Sequence, residues 1–192
     1  MAFITGIGGG TASGKTTFCE QLAQAFAGHN IKVMHMDNYF KPDELMPRAT
    51  APITGREYPD HNHPDTLDLP RFKQELLAAA QGFDIVLVEG NLALVDAEIL
   101  KQLDLKIFID CQADERVVRR LKRYKTGGNV ANVADEDIFG WLSDIYLDLV
   151  RYRHDEYVAP SKWRADVILN GSMPSDKALA MVKRHILSEI EA

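Results

Sequence analysis

Gly9-Gly10-Thr11-Ala12-Ser13-Gly14-Lys15-Thr16 reads G-x-x-x-x-G-K-[ST], the form of a phosphate-binding P-loop, and these eight residues decide the fold. An apolar stretch with Ala2, Phe3, Ile4 and Ile7 precedes them, and a helix-compatible stretch from Thr17 to Ala27 follows. Glycines let the backbone curl until its N–H groups converge on phosphate oxygens. The helix behind adds the positive end of its dipole. Lys15 can then reach the β- and γ-phosphates, and the Thr16 hydroxyl can bind Mg²⁺. The expected nucleotide-binding residues are Gly9, Gly10, Thr11, Ala12, Ser13, Gly14, Lys15, Thr16 and Thr17, with ATP and Mg²⁺ as cofactors.

At 192 residues the chain fits one domain, 1–192, with a substantial core. Its 22 basic and 28 acidic residues give a net charge of -6. That balance excludes a dedicated nucleic-acid binder, which shows a basic excess. Cys19 and Cys111 lie far apart without metal-ligand spacing, so both read as free, buried thiols of a reducing compartment. The first residues read as a strand, not a signal peptide. No apolar run approaches the roughly 20 residues of a membrane span. A cytoplasmic protein without membrane partners is expected, and a homo-oligomer is compatible with the sequence.

Strands and helices alternate along the chain. Strands are expected at Phe3–Gly8, Ile31–Met36, Asp84–Glu89, Leu105–Asp110 and Asp166–Leu169. Helices are expected at Lys15–Ala27, Leu69–Ala80, Asp96–Gln102, Asp114–Lys125, Asp135–Tyr157 and Ser175–Glu189. Between Lys41 and Pro64 fall five of the eight prolines, so that stretch is expected to lack regular structure. The whole predicts an α/β, three-layer P-loop fold. A parallel sheet is flanked by helices, a helical lid covers about 114–136, and an acceptor-binding loop covers about 38–66. Ligands belong at the carboxyl ends of the strands.

Other positions narrow the chemistry. No Asn-Lys-x-Asp guanine reader is present, nor the Leu-Ser-Gly-Gly segment of transporter ATPases. Asp37 follows the second strand, on the P-loop edge of the sheet, where a carboxylate can accept a substrate hydroxyl proton and share the Mg²⁺ shell. Glu89 ends the non-alternating run DIVLVE, the position of a Walker B acid, so Thr16, Glu89 and Asp37 are the candidate metal ligands. Arg116, Arg119, Arg120 and Arg123 recur at three- and four-residue spacing on one helix, suited to neutralising charge on a transferring phosphoryl group. Catalytic roles are assigned to Asp37, Lys15, Arg120 and Arg123. In the Pro-rich loop Arg48, Arg56, Tyr58, His61 and His63 offer donors and an aromatic surface, and arginines there suit an anionic acceptor.

Together these motifs resemble the uridine kinase and phosphoribulokinase-like branch of P-loop kinases. Besides GGTASGKTT, the resemblance rests on Asp37-Asn38-Tyr39-Phe40-Lys41, on Asn62-His63-Pro64-Asp65-Thr66-Leu67-Asp68 and on VLVEGNLAL from Val86 to Leu94. Ile107 to Arg123 and Val150 to Leu169 carry it further. It implies ATP-dependent phosphorylation of a small-molecule hydroxyl, first of all a nucleoside 5′-hydroxyl, with Asp37 as base. The implied substrate-binding residues are Asp37, Tyr39, Arg56, Tyr58, His61, Asn62 and Arg119. The family's pyrimidine-reading hairpin has no counterpart here, since Gln81-Gly82-Phe83 joins the neighbouring elements directly. Its ribose-contacting Asp falls on Asn62, and its Arg-Gly-Arg lid segment on Gly127-Gly128-Asn129. Other acceptors therefore stay open: nicotinamide riboside, pantothenate, glycerate or a sugar phosphate. So does a non-enzymatic nucleotide-binding regulator, which would need no base at Asp37.

Overall fold

The computed structural model describes residues 1–125 and 138–191. The Gly127-Gly128-Asn129 bend and the expected helix start at Asp135 lie outside the described residues.

Strand β1 (Phe3–Gly9) runs straight into the P-loop and helix α1 (Lys15–Ala25). The chain returns through β2 (Ile31–His35), a short ribbon of β3 (Arg48–Thr50) and β4 (Glu57–Pro59), and helix α2 (Leu69–Gly82). Then come β5 (Ile85–Glu89), α3 (Ala97–Leu100), β6 (Leu105–Asp110) and α4 (Ala113–Lys125). Helix α5 (Ile138–Ile145) continues through π-helical segments at Tyr146–Val150 and His154–Val158 as far as Ser161. Strand β7 (Val167–Asn170) and a last helix, Asp176–Ile190, follow.

The main sheet has the order β2-β5-β1-β6-β7, with every pairing parallel. Parallel strands need crossovers, which here place helices on both faces and bury the central strands. All five residues of β5 are buried, as its unbroken apolar run requires. Val86 and Val88 point to one face, into a cluster with Phe72, Leu76, Leu94 and Ile99. Ile85 and Leu87 point to the other, into a cluster with Cys19, Leu22, Phe26, Val182 and Ile186.

The Lys41–Pro64 stretch corrects one expectation: β3 and β4 pair antiparallel, Ala49 opposite Tyr58, so the Pro-rich loop does hold regular structure. Prolines spare this ribbon because Pro52 lies in its turn and Pro59 ends its second strand. The absent hairpin is as expected, with α2 ending at Gly82 and β5 starting at Ile85. In the long helix the first π-segment widens the buried stripe. Tyr146, Leu149 and Val150 follow Leu142 at ordinary helical spacing, and within the π-segment Asp148 is buried beside them. The second π-segment precedes Pro160, which has no N–H to give an α-helical ladder.

Two predictions test this framework. Gly171, after β7, presses on the P-loop so closely that a Cβ there would overlap the Ser13 carbonyl oxygen and lie 3.1 Å from that of Asp110. Both obstacles are backbone, so Gly171→Ala should lower stability by about 1–3 kcal/mol in urea unfolding. Cys19 is wholly buried, and burial, with the charges of Glu89 and Glu20, pushes its thiol up to about 12. Mass spectrometry after maleimide treatment at neutral pH should find Cys19 unmodified in the folded protein and modified in urea.

Candidate active site

The parallel order collects the β1, β2 and β5 carboxyl ends at one edge. Past β1, Ser13 N–H donates to the Gly10 carbonyl at 3.1 Å, and the chain turns through left-handed conformations at Ala12 (φ 59°) and Gly14 (φ 98°). For a residue with a Cβ such a conformation costs on the order of 1 kcal/mol, a strain that clusters at ligand-gripping loops. Gly14 then caps α1 and points its first free N–H groups into the loop. Lys15 is buried, 8% exposed, with its ammonium 3.7 Å from Glu89 Oε1. Burial lowers its pKa, opposed by the charges of Glu89 and Asp37.

Glu89 ends β5, 5% exposed. Its Oε1 accepts from the Thr16 hydroxyl at 3.0 Å, and its Oε2 lies 2.8 Å from His35 Nδ1. His35 is the register partner of Glu89 on β2, so the backbone pairing itself brings the two side chains together. Asp37 stands two residues further on, exposed along the wall of a cavity. That wall raises its carboxyl pKa, with Glu89 adding to the effect and Lys15 and Arg123 opposing it.

The arginines of α4 do not act as one face. The Arg116 guanidinium is buried behind the P-loop, its Nε donating to the Cys111 carbonyl, and a Cβ on Gly10 would lie 2.6 Å from its Nη1. Arg119 donates to the Gly171 carbonyl at 2.9 Å and pairs with Glu115. It borders a cavity of about 320 Å³ beside the start of α1, with Gly14, Thr17, Phe18, Gly171 and Pro174. Arg119 is thus placed away from the acceptor-side residues with which the resemblance groups it. Arg120 and Arg123 border the main cavity, about 880 Å³, together with Thr11 and Asp37. Arg120 Nη1 approaches Thr11 Oγ1 at 3.4 Å, its Nε is buried without a hydrogen-bond partner, and no carboxylate pairs with it among the described residues.

The far side of that cavity is built by the ribbon and the long helix. Tyr58, His61 and Asn62 line it, together with Tyr124 and Trp141. Tyr58 and Thr54 hydroxyls donate to Asp148 at 2.8 Å each, and a Cβ-rich rim of Ile145 and Val150 closes the wall. Two residues go elsewhere. Tyr39 turns into the core, its ring edge-on to Phe72 and its hydroxyl donating to Glu75 at 2.6 Å. Arg56 is exposed and paired with Asp144 at 2.8 Å. His63 packs edge-on against Tyr157 and its Nδ1 accepts from the Asp65 N–H. His35 and Asn91, which also lines the cavity, were not legible from motifs. Their signal is position alone, at or just past the ends of β2 and β5. A hollow of about 1040 Å³ at the opposite edge of the sheet, by Phe3, Asp84 and His185, receives none of these residues.

Among the described residues no three His, Cys, Asp or Glu side chains form a ready-made metal cage. One hydroxyl and one or two carboxylates suit Mg²⁺, which keeps waters and takes phosphate oxygens. No helix among them is long and apolar enough to cross a membrane.

The family model described as "Phosphoribulokinase / Uridine kinase family" matches residues 48–177, beyond the P-loop. A protein named uridine kinase from Deinococcus deserti is 28% identical over 214 aligned positions, which cover 98% of this chain and 97% of the relative. Uridine kinase from Chlamydia pneumoniae is 27% identical, covering 100% and 91%. That from Bacillus mycoides is 27% identical, covering 86% and 84%. Among solved structures, shikimate kinase from Bacteroides thetaiotaomicron matches with a TM-score of 0.55 at 16% identity, over 100% of this chain and 99% of that one, a likeness of fold. With a P-loop, a parallel sheet and relatives along nearly its whole length, this chain belongs to the phosphoribulokinase/uridine kinase family and is a phosphotransferase with an alcohol as acceptor.

Proposed function

We propose that the protein transfers the γ-phosphoryl group of Mg²⁺–ATP to a hydroxyl of a small metabolite, with a nucleoside 5′-hydroxyl as the first candidate. One observation carries the reading. Arg120 and Arg123 border the same cavity as Asp37, the Lys15 charge reaches Asp37 as well, and the Arg120 Nε is buried with no partner. A buried N–H left without an acceptor is costly, and an anion at that point would complete it.

The roles follow from placement. The P-loop N–H groups grip the phosphates, and the smaller cavity beside Arg119 and Pro174 takes the nucleoside part of ATP. Thr16 and Glu89 hold Mg²⁺, within reach of Asp37, and the ion when bound neutralises phosphate charge. Glu89 is kept in place by His35. Asp37 accepts the proton of the acceptor hydroxyl, while Lys15 and the arginines offset charge on the transferring group. Helix α4 with the residues to about 136 serves as the lid, and residues 38–66 as the acceptor loop, within one kinase domain. Kinases of other small alcohols remain the second reading, because α2 joins β5 with no intervening pyrimidine reader.

An ADP-release assay over nucleosides, vitamins and sugar acids identifies the acceptor. In that assay Asp37→Asn should lower kcat by about 10²–10⁴, while Mg²⁺–ATP affinity by calorimetry stays within a few-fold. Retained turnover would remove Asp37 as base. A nucleotide-binding regulator would bind ATP and release no ADP with any acceptor.

The raised pKa of Asp37 also sets a sign. The ionised form is the base, so kcat/KM should fall as pH drops through that pKa. The acid limb should lie above the usual aspartate value near 4, and it should vanish from the residual activity of D37N.

A further inference from the structure

Asn91 occupies the point where the chain leaves β5. Glu89 and His35 are register partners, so Asn91 and Asp37 each stand two residues beyond a paired position on adjacent strands. Both line the main cavity. Gly90 between them admits no side chain, since a Cβ there would lie 2.8 Å from Met36 Cβ, and this tight passage fixes where Asn91 emerges. The Asn91 amide oxygen is buried and has no hydrogen-bond partner. An apolar side chain would fill the same place without stranding a carbonyl group. As placed, that oxygen is turned away from the cavity that the residue lines; a half-turn about χ2, a broad torsion for an amide, would exchange the amide oxygen and nitrogen and aim the oxygen at the cavity.

The charges around the cavity restrict what can meet it. The arginines of the acceptor side are occupied elsewhere: Arg48 pairs with Glu57, Arg56 with Asp144 and Arg153 with Asp60. None of the three lines the cavity. The lining beside Asp37 carries the amides of Asn62 and Asn91 and the His61 ring; Arg120, bonded to Thr11, and Arg123, whose charge reaches Asp37, are the cations that border it. An anionic acceptor would bring negative charge against the Asp37 carboxylate.

We propose that Asn91 is a specificity-determining residue of the acceptor site: its amide oxygen accepts a hydrogen bond from a second donor, a hydroxyl or amine, carried by an uncharged acceptor next to the hydroxyl that faces Asp37. The inference rests on the kinase reading and deepens it. It assigns the acceptor to neutral compounds with at least two donors, and it sets aside glycerate, pantothenate and sugar phosphates.

The test compares the full-length protein with Asn91→Leu. Three quantities are read: melting temperature without ligand, Mg²⁺–ATP affinity, and kcat/KM with uridine, cytidine, adenosine, 2′,3′-dideoxyuridine, D-glycerate and ribose 5-phosphate. The dideoxy compound keeps the attacking hydroxyl and lacks the neighbouring ones. Loss of the bond should cut kcat/KM for the preferred neutral polyol by at least tenfold in N91L. ATP affinity should stay within twofold, and the melting temperature should be unchanged or higher. The parent protein should reject an analogue lacking the second donor, and N91L should lose that discrimination. The proposal is overturned if N91L keeps its acceptor kcat/KM within twofold, or if melting temperature and ATP affinity fall together, which marks a structural role. Preference of the parent for D-glycerate or ribose 5-phosphate, or ATP binding without turnover of any neutral alcohol, overturns it too. Turnover of an anionic acceptor leaves the kinase reading standing, whereas absence of Mg²⁺–ATP binding removes that reading itself.

Discussion

The carboxylate of Glu89 is the constraint on which the site depends. It is 5% exposed at the end of a strand with no exposed residue, so an unpartnered charge there would be heavily penalised. Three groups meet that demand: the Thr16 hydroxyl, the Lys15 ammonium and the His35 imidazole. They come from α1, which follows the phosphate-binding loop, and from β2, which pairs with β5, and each is delivered by backbone geometry. Register pairs His35 with Glu89, and the turn through Ala12 and Gly14 starts α1 where Lys15 and Thr16 face β5. One buried acid thus ties the phosphate-binding loop to the neighbouring strand ends. The same parallel pairing that builds the sheet fixes the distance between the P-loop and the strand end that carries Asp37.

Legibility from sequence follows the range of the interactions. The P-loop is a local structure, written in eight consecutive residues, and β5 is announced by an apolar run that only a strand covered on both faces tolerates. Both were readable. The ribbon of β3 and β4 was not, because three-residue strands carry no periodic signal. Long-range bonds hold this ribbon: Thr54 and Tyr58 to Asp148, Arg56 to Asp144, and Arg153 to Asp60 beside it. The α4 arginines show the same limit. Their three- and four-residue spacing was legible, yet at about 100° per residue four such positions span a wide arc. Arg116 ends behind Gly10, Arg119 beside Gly171, and Arg120 and Arg123 at the main cavity. Tyr39 shares a motif with Asp37 but points the other way, into the core against Phe72, because a 3₁₀ turn carries Met36–Tyr39 around the strand end.

This division of labour separates chemistry from recognition in physical terms. The groups proposed to handle phosphate and proton sit at strand ends or on the first turn of α1, where the sheet's hydrogen bonds and two buried clusters leave little freedom. The groups on the far wall sit on a ribbon and a helix that meet through polar contacts. The helix is adapted to this by its π-segment at Tyr146–Val150, whose wider turn buries Asp148 as well as Leu149 and Val150. A buried carboxylate in that position would be unstable alone, and the Thr54 and Tyr58 hydroxyls are what hold it, lowering its pKa against the cost of desolvation. Ribbon and helix are therefore mutually dependent. The Tyr58 ring lines the cavity because its hydroxyl is anchored outside the cavity, and the anchor exists because the helix departs from α geometry. A change in the helix would move the aromatic wall without touching Lys15, Asp37 or Glu89. In this chain α2 runs almost directly into β5, and the wall proposed for the acceptor is built from Tyr58, Trp141 and the strand-end Asn91.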